Sequence, residues 1–507
     1  MFSRFTDSMR WLHTWSGLIL GWLLFAVFLT GTLAFFQFEI TRWMQPELSQ
    51  PASADTAVKQ AENYLLTHAQ HSPRWSITVP GSRESVTTLF WRDEAAGGRG
   101  FRRATLDGNG KEVSVRDTRG GNFLYRFHFD LHYMPVLWAR WLVGIAAMSM
   151  LVAIITGIVI HKKIFKDFFT FKVGRSVRSW LDGHTLSSVL ALPFHFMITY
   201  TGLVTLMLMY FVWAINLSHG DRQQFFAAVE SGVVGPQGDD SSANLTDLQA
   251  VYNDAREKLG NAEISFISVQ NPGQQNGIIE LSEAPTRSLI TSYRKLVYSA
   301  STGALLSNTA VSSTAEQTRR TMVNLHAGRF ADWSLRWLYF ISGIVGTIMV
   351  GTGLVLWLKK REVGQMHAGH RLVRTLNFGA IMGLPFAVGC YLLANRLLAT
   401  TLADRATMEI DLFFAGWLLM LVFGLVRPRT HKWRDGARIT GLLFVCLPFI
   451  SMFTTDKYIG TYNLPNDNAM LYIDVALIVT GLTFLLISQK FTSSQPARGA
   501  KRYAHSQ

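Results

Sequence analysis

Residues 12–31, LHTWSGLILGWLLFAVFLTG, form an apolar segment long enough to cross a lipid bilayer, and it carries one ionisable side chain, His13, near its start. A helix rises 1.5 Å per residue, so about 20 residues span the hydrocarbon layer of about 30 Å. An ionisable group inside such a segment is costly when charged and is functional by default. For His13 taken alone, a neutral side chain that bonds a carbonyl or a lipid headgroup at the interface is an open explanation.

The composition indicates an integral membrane protein. Of 507 residues, 49% are hydrophobic and only 16% are charged. The net charge of +14 comes from Lys and Arg that stand beside apolar segments, as membrane orientation requires, so nucleic-acid binding is not expected. The two cysteines, Cys390 and Cys446, lie in apolar runs, which argues against a disulfide framework and against a thiolate metal site.

Eight apolar segments predict eight membrane-spanning helices. The first has no small-residue cleavage site after a short apolar core, so we expect a retained helix and not a removed signal peptide. The helices are predicted near residues 11–36, 138–160, 185–215, 334–358, 376–397, 410–426, 437–454 and 469–488. The first helix with the residues before it makes up residues 1–37, and the last four helices make up residues 376–489.

The charged connectors predict the orientation of the chain. Residues 161–184 and 359–375 and the tail 490–507 are rich in Lys and Arg and lie on one side of the predicted bundle. By the positive-inside rule this side is the cytoplasm, which also holds both termini. The sequence therefore predicts a multi-pass membrane protein with both termini in the cytoplasm.

Two long polar insertions, residues 38–137 and 216–333, fall on the opposite, periplasmic side. Each begins with a helical pattern and continues with alternating strands and glycine-containing turns, DGNG in the first and STG in the second. We expect two small α+β modules.

The two halves of residues 1–365 repeat each other. His13 precedes Thr30-Gly31 by the same 17 residues that separate His184 from Thr201-Gly202. Arg140-Trp141 precede Thr156-Gly157 as Arg336-Trp337 precede Thr352-Gly353, and His132 corresponds to His326 if a two-residue indel is allowed. The sequence therefore predicts a duplicated four-helix core with parallel repeats.

The repeat predicts two pairs of histidines, one near each membrane face. His13 and His132 of one repeat lie on opposite sides of a bilayer about 30 Å thick, so they cannot bind the same iron. Symmetry-related His13 and His184 can meet at one face, and His132 and His326 at the other. Two neutral imidazoles from facing helices suit the axial positions of haem iron, so we expect two haems that form a transmembrane electron path.

Other residues near these histidines have weaker assignments. Arg140 and Arg336 are candidates for haem propionate partners, although interfacial arginines are ordinarily membrane anchors. His128, one helical turn before His132, is a substitute ligand or a group that supports one. His161 is a candidate for cofactor binding or for contact with lipid headgroups. His195, whose repeat counterpart is Leu24, is a ligand, a proton-handling group or a helix-to-helix hydrogen bond.

Alternative metal and nucleotide chemistries find little support in the sequence. A zinc or copper site would need three ligands at one point, and only HFDLH at residues 128–132 comes near that pattern. The sequence has no phosphate-binding glycine motif and no Ser-His-Asp arrangement with a plausible scaffold, so nucleotide binding and hydrolysis are not expected.

Three stretches and the two insertions resemble the PepSY-associated transmembrane proteins. The stretches are LHTWSGLILGWLLFAVFLTG, FHFDLHYMP and LHAGRFADWSLRWLYFISGIVGTIMVGTGLVLWLKKR. This group includes bacterial inner-membrane ferric-siderophore reductases and other iron-regulated membrane proteins. The resemblance covers about residues 1–365, and the last four helices exceed the minimal four-helix version.

The resemblance implies two b-type haems in the four-helix core, with ligands at His13, His132, His184 and His326. It also implies that electrons cross from the cytoplasmic side and reduce a ferric siderophore or another ferric chelate in the periplasm, which releases Fe(II). The insertions would be PepSY-like modules above the outer haem. The electron donor, a quinol in the bilayer or a cytoplasmic reductase, is left open.

A second hypothesis is a non-redox transporter or a regulator of periplasmic peptidases. In that case the PepSY-like modules bind peptide, and the last four helices supply a substrate path. The acidic candidates for such a path are Asp404, Glu409, Asp411, Asp456, Asp467 and Asp474.

Overall fold

The computed structural model shows a mostly helical chain whose two polar insertions share one β-sheet. It describes residues 4–48, 53–81, 86–93, 100–161, 176–219, 241–284, 288–290, 294–309, 314–361, 367–428, 431–464 and 466–492. Parts of both predicted basic connectors (162–175 and 362–366) and most of the predicted basic tail (493–507) lie outside the described residues.

Six described helices or helix runs have the length and composition of membrane spans. The second and fourth predicted spans are single helices, α6 (Val136–Ile160) and α13 (Trp333–Lys359). The fifth runs from Ala368 to Leu397 as α14 (Ala368–Phe378), a π-helical turn (Gly379–Gly383) and α15 (Leu384–Leu397). The last three are α16 (Arg405–Val426), α17 (Lys432–Thr454) and α18 (Asn468–Thr492).

The first and third predicted spans are not straight helices. The first consists of α1 (Phe5–Ile19) and α2 (Gly21–Ala34), which meet at Leu20 with a bend of 63°. The third consists of α7 (Val177–Leu190) and α8 (Leu192–Thr205), which meet at Ala191 with a bend of 68°. Pro193 lies in the first turn of α8, and it has no N–H to donate to the helix before it. The third span therefore begins earlier than residue 185, and His184 lies inside it.

The bends let each broken helix contact both repeats. Before the bend, α1 packs on α6 and α7 packs on α13, so each first half lies against the second span of its own repeat. After the bend, α2 packs on α13 and α8 packs on α6, the second spans of the other repeat. Because the two breaks fall at equivalent positions, the two halves interlock in the same way.

The two insertions form one seven-stranded antiparallel sheet, not the two separate modules that the sequence predicts. The strand order is β3-β2-β1-β4-β5-β6-β7. Strands β1 (Arg74–Thr78), β2 (Thr87–Arg92) and β3 (Phe101–Leu106) come from the first insertion, and β4 (Ile264–Gln270), β5 (Ile278–Glu283), β6 (Lys295–Ser299) and β7 (Leu305–Thr309) from the second. The prediction of separate modules is wrong because β1 pairs directly with β4, with Ser76 opposite Ser268. The predicted STG turn joins β6 to β7 as expected.

One helix from each insertion packs on the sheet. These are α4 (Ala54–His68) and α11 (Leu248–Lys258), which contact each other and share one apolar core with the strands. Lys59 bonds Asp247 and Arg256 bonds Asp55 between the two helices. These exposed ion pairs add little stability, so burial of the shared core holds the insertions together.

The remaining short helices lie around the core. They are α3 (Gln37–Met44), α5 (Gly120–Asp130), α9 (Met207–Tyr210), α10 (Val212–His219) and α12 (Thr314–Ala327). Helix α5 packs on α2 and α3, and α12 packs on α8.

The last four spans form a C-terminal bundle, residues 368–492, which docks on the duplicated core. Asn377 ties it to the core because its amide accepts from Trp22 Nε1 at 2.9 Å and donates to the Leu354 carbonyl at 2.9 Å. On the insertion side, Trp43 of α3 donates to the buried carboxylate of Asp474 at 2.7 Å.

The pairing of β1 with β4 predicts a specific disulfide. The double variant S76C/S268C places two cysteines on directly opposed residues of antiparallel strands, within the Cα separation that a disulfide needs. We expect it to cross-link under mild oxidation, which a mobility shift in non-reducing gel electrophoresis detects. In S76C/E280C the second cysteine lies two strands away, at about 10 Å, and should not cross-link. Two cysteines at positions 76 and 268 that react with maleimide but never join would contradict the shared sheet.

Candidate functional site

Four imidazoles of the duplicated core meet in two pairs. The His13 and His184 rings lie 6.3 Å apart between centroids, with 67° between their planes. The His128 and His326 rings lie 6.0 Å apart, with 31° between their planes. We call these the connector-side pair and the insertion-side pair, after the end of the bundle at which each lies.

Each of the four rings is held through Nδ1 by a main-chain carbonyl of a neighbouring helix. The acceptors are Ala153 for His13 (2.9 Å), Met349 for His184 (2.9 Å), Val27 for His128 (2.7 Å) and Ile198 for His326 (2.9 Å). A carbonyl oxygen only accepts, so each Nδ1 carries the proton and each Nε2 carries the lone pair. The bond thus fixes both the tautomer and the ring orientation, as the outer partners of metal-bound histidines do.

The four carbonyls occupy one repeated sequence position. Each belongs to the residue three before a threonine and four before a glycine in the pairs Thr30-Gly31, Thr156-Gly157, Thr201-Gly202 and Thr352-Gly353. All four threonine hydroxyls donate back to the carbonyl one turn earlier in their own helices. Three of them also approach the imidazole Nδ1, at 3.2 Å from His13, 3.3 Å from His326 and 3.5 Å from His184.

The glycine of each Thr-Gly pair lets the imidazole lie against the helix backbone. A Cβ at Gly31 would fall 2.6 Å from the His128 ring, and one at Gly202 would fall 2.9 Å from the His326 ring. The corresponding distances are 3.1 Å between Gly353 and His184 and 3.3 Å between Gly157 and His13. Each histidine therefore has a cradle made of one carbonyl and one glycine.

The geometry of both pairs fits an axially ligated haem iron. Two imidazole nitrogens that each bind a metal at about 2 Å bring the ring centres to roughly 6 Å from one another, close to both observed separations. In each pair both Nδ1 atoms are bonded to carbonyls, so each imidazole has one Nε2 lone pair that can bind a metal. Among the described residues no group of three or more His, Cys, Asp or Glu could hold a metal ion.

The predicted pairing of His132 with His326 is wrong, because His128 lies opposite His326 instead. Helix α5 ends at Asp130, and Leu131, His132 and Tyr133 all have positive φ angles, of 53°, 42° and 46°. This left-handed run turns His132 away from the face that carries His128. The His132 ring stacks on Phe414 of α16, with the centroids 5.8 Å apart.

Helix caps give the sequence signal that identifies His128. The two spanning helices begin after Pro135 and Asp332, and Asp332 accepts a hydrogen bond from the Leu335 N–H. His128 lies seven residues before Pro135, and His326 lies six before Asp332. The spacing to Arg140 and Arg336 does not show which histidine corresponds to His326. Aligning either His128 or His132 with it requires a two-residue insertion or deletion.

Both predicted propionate partners form ion pairs with carboxylates. Arg140 donates from Nε to Asp130 at 2.7 Å, and Arg336 donates from Nη1 to Glu39 at 2.9 Å. Asp130 ends the helix that carries His128, so Arg140 also fixes the end of that helix. A contact of either arginine with a propionate stays a prediction.

His195 and His161 lie near the two pairs but in neither. His195 is 1% exposed, its ring contacts Phe28, and a Cβ at Gly346 would fall 3.2 Å from its Nε2. Neither of its nitrogens has a hydrogen bond of normal geometry within the described part of the chain. In the first repeat Leu24 and Met150 replace His195 and Gly346, so the repeats differ here. His161 ends α6 and, with Lys360, lies close to His184.

The pKa values of the insertion-side histidines favour the neutral imidazole, which is the form that binds a metal. Their helices, α5 and α12, lie outside the spanning helices. Burial, with the neighbouring His128 ring as a second cause, lowers the pKa of His326 to about 3, and burial also lowers the pKa of His128. Both rings are therefore neutral at physiological pH, so no proton has to leave before Nε2 binds a metal.

Residues 10–360 match the family model described as the PepSY-associated TM region, and this range includes all four cradled histidines. No curated protein matches the sequence.

The cradles predict a graded response to Gly→Ala substitution. Overpacking of a tight site costs about 1–3 kcal/mol, and the added methyl group displaces the imidazole most where the Cβ falls closest. We expect the melting temperature in detergent and the haem-to-protein ratio to fall in the order Gly31→Ala, Gly202→Ala, Gly353→Ala and Gly157→Ala, with the largest loss first. Gly17→Ala and Gly183→Ala are matched controls, because a Cβ at either position meets nothing within 4 Å. Equal losses in the cradle variants and the controls would show that the cradles are not tight.

Proposed function

The chain belongs to the PepSY-associated TM region family, and from this premise we propose that it is an inner-membrane di-haem b-type electron-transfer protein that reduces ferric siderophores or other ferric chelates in the periplasm. The observation that carries the proposal is the presence of two imidazole pairs, with separations of 6.3 Å and 6.0 Å, at the two ends of one bundle. Four equivalent cradles that engage Nδ1 and leave the Nε2 lone pair available support a two-ligand metal site at each end.

In this function the four histidines hold iron and the cradles set its environment. Each Nδ1–H bond to a carbonyl raises the basicity of the opposite nitrogen, Nε2, and fixes the orientation of the ring. The four rings are partly buried among apolar helices, and these surroundings would set the redox potential of bound haem together with the hydrogen bonds. The chain's own contribution is thus ligation, orientation and spacing, and the reaction needs no acid or base.

Bound haem supplies reversible one-electron chemistry, cycling between Fe(III) and Fe(II). Each ferric ion in a chelate takes up one electron and becomes Fe(II), which hard oxygen ligands hold less tightly. The electron comes from a reductant on the cytoplasmic side, either a quinol in the bilayer or a cytoplasmic reductase. The basic connectors favour a cytoplasmic position for the connector-side pair, and in that orientation the shared sheet of the insertions lies on the side proposed for the substrate.

Asp474, Asp467 and Glu409, three of the six acidic residues proposed for a transporter path, have structural partners among the described residues. Asp474 accepts from Trp43 and Tyr462, and Asp467 pairs with Arg42 and Lys457. Glu409 pairs with Arg405, and both are 0% exposed. Carboxylates in closed networks are poorly placed to carry a substrate, so these contacts favour the redox function over the transporter.

The proposal predicts two low-spin haems, each of which can be removed by mutation without loss of the other. Purified protein should show a Soret band that shifts on dithionite reduction, with two haems per chain. His13→Ala or His184→Ala should remove one haem, and His128→Ala or His326→Ala the other, since each removes an axial ligand. His132→Ala is the matched control, because this histidine lies outside both pairs, and it should keep both haems. Because the imidazole planes are at 67° and 31°, the two ferric sites should give different electron paramagnetic resonance signals.

A second measurement tests the reaction itself. Dithionite-reduced protein, freed of excess reductant, should be reoxidised by a ferric hydroxamate chelate, with Fe(II) trapped by ferrozine in equal amount to the electrons lost. A colourless wild-type protein from cells with ample haem, or a quadruple alanine variant at 13, 128, 184 and 326 that keeps its full haem content, would overturn the proposal.

A further inference from the structure

Helix α5, which carries His128, has different surroundings from α12, which carries His326. Helix α12 packs on α8 of the core. Helix α5 packs on α2, α3 and α6 and also meets the C-terminal bundle through aromatic rings. One ligand of the insertion-side pair is therefore held by helices that have no counterpart in the first 360 residues.

The first turn of α5 is fixed by hydroxyl groups. The Gly120 N–H donates to Thr118 Oγ1 at 3.0 Å, and the Gly121 N–H donates to Thr41 Oγ1 at 2.9 Å. These are two of the four N–H groups that the start of a helix leaves without intrahelical partners. On the other side, Tyr391 of α15 donates to the Gly120 carbonyl at 2.9 Å. The backbone of this turn thus has a partner in the C-terminal bundle as well as in α3.

Thr118 passes the contact on to a buried carboxylate. Its hydroxyl has one proton, which it donates to Glu409 Oε2 at 2.5 Å while it accepts from Gly120. The other oxygen of Glu409 accepts from Asn395 Nδ2 at 2.8 Å and from the Arg405 guanidinium. Hydrogen bonds to a charged group are stronger than neutral ones, so this chain ties the start of α5 firmly to α16.

The Arg405 side chain anchors the carboxylate in turn. It donates to the Asp117 carbonyl at 2.9 Å and to the Asn395 carbonyl at 2.6 Å. Arg405 and Glu409 are both 0% exposed, so the pair is shielded from solvent and salt. One charged cluster, Arg405 with Glu409, therefore holds Asp117 and Thr118 against α16.

An aromatic wall extends the contact along α5 to His128. Phe123 lies 5.1 Å and Phe127 5.6 Å from Phe413 between ring centroids, and Phe127 also lies 6.2 Å from Trp417. Phe127 directly precedes His128 in the chain, so the position of its ring on α16 sets where the helix presents the imidazole. The neighbouring face of α5 directs His128 to the Val27 carbonyl.

We propose that Thr118 and Glu409 are positioning residues for His128, through which the C-terminal bundle tunes the insertion-side haem and leaves the connector-side haem unaffected. This inference rests on the proposed function. Neither residue contacts the iron site; both act through the first turn of α5. The bundle's role is then to hold one of four axial ligands.

The test uses full-length protein with Thr118→Val as the main variant. Valine keeps the shape of the side chain but removes both hydrogen bonds of the hydroxyl. We expect haem to leave the insertion-side pair for apomyoglobin about tenfold faster, the lower end of the effect that outer-shell partners have on metal affinity. The potential and the paramagnetic resonance signal of that haem should shift, and those of the connector-side haem should not. Thr118→Ser keeps the hydroxyl and should restore wild-type behaviour.

Two further variants keep the test decisive if valine disturbs folding. Glu409→Gln retains the size of the side chain and should shift the same haem, because the charged acceptor is lost. Asp435→Asn removes a carboxylate from the same bundle, where it pairs with Arg427 at 2.6 Å far from α5, and should change neither haem. If Thr118→Val and Glu409→Gln leave the insertion-side haem unchanged, or shift both haems equally, the inference fails while the proposed function stands. A wild-type protein without haem overturns the proposed function first.

Discussion

The bond between an imidazole Nδ1–H and a helix carbonyl is the interaction on which the core depends. It occurs four times, each time beside a glycine that lets the ring reach the backbone. A helix carbonyl already accepts from its own helix, and its second lone pair is free for such a bond. The histidine is thereby held in one orientation and one tautomer, at the modest cost of a glycine in each spanning helix.

The bends at Leu20 and Ala191 serve the same contacts. Each of these spans brings a histidine to one helix and a Thr-Gly pair to the histidine of another segment. The break divides the span into two parts with different directions, so α1 delivers His13 to α6 while α2 offers Gly31 to His128. Duplication of one such unit yields both layers of the bundle.

Much of the fold and half of the site follow from the sequence. Hydropathy locates the spans, and the equal spacing from His13 to Gly31 and from His184 to Gly202 identifies the repeat and one correct pair. The second pair, His128 with His326, does not follow from spacing. The backbone turns left-handed after Asp130, and the residue types around His132 do not predict this turn. The joined sheet is also hidden, since β1 and β4 are far apart in the chain and each reads as part of a local module. The function of the Thr-Gly pairs depends on contacts between helices, which periodicity within one helix does not report.

The pairing of β1 with β4 also bears on how the chain is assembled. During synthesis the first insertion is made before β4, the strand that pairs with β1. The free edge of β1 therefore has unpaired N–H and C=O groups until β4 has been made and moved across the membrane. Two further spanning segments must enter the bilayer in between. The sheet closes only when both halves have reached the same side, so its completion marks the moment at which the duplicated halves have inserted with the same orientation.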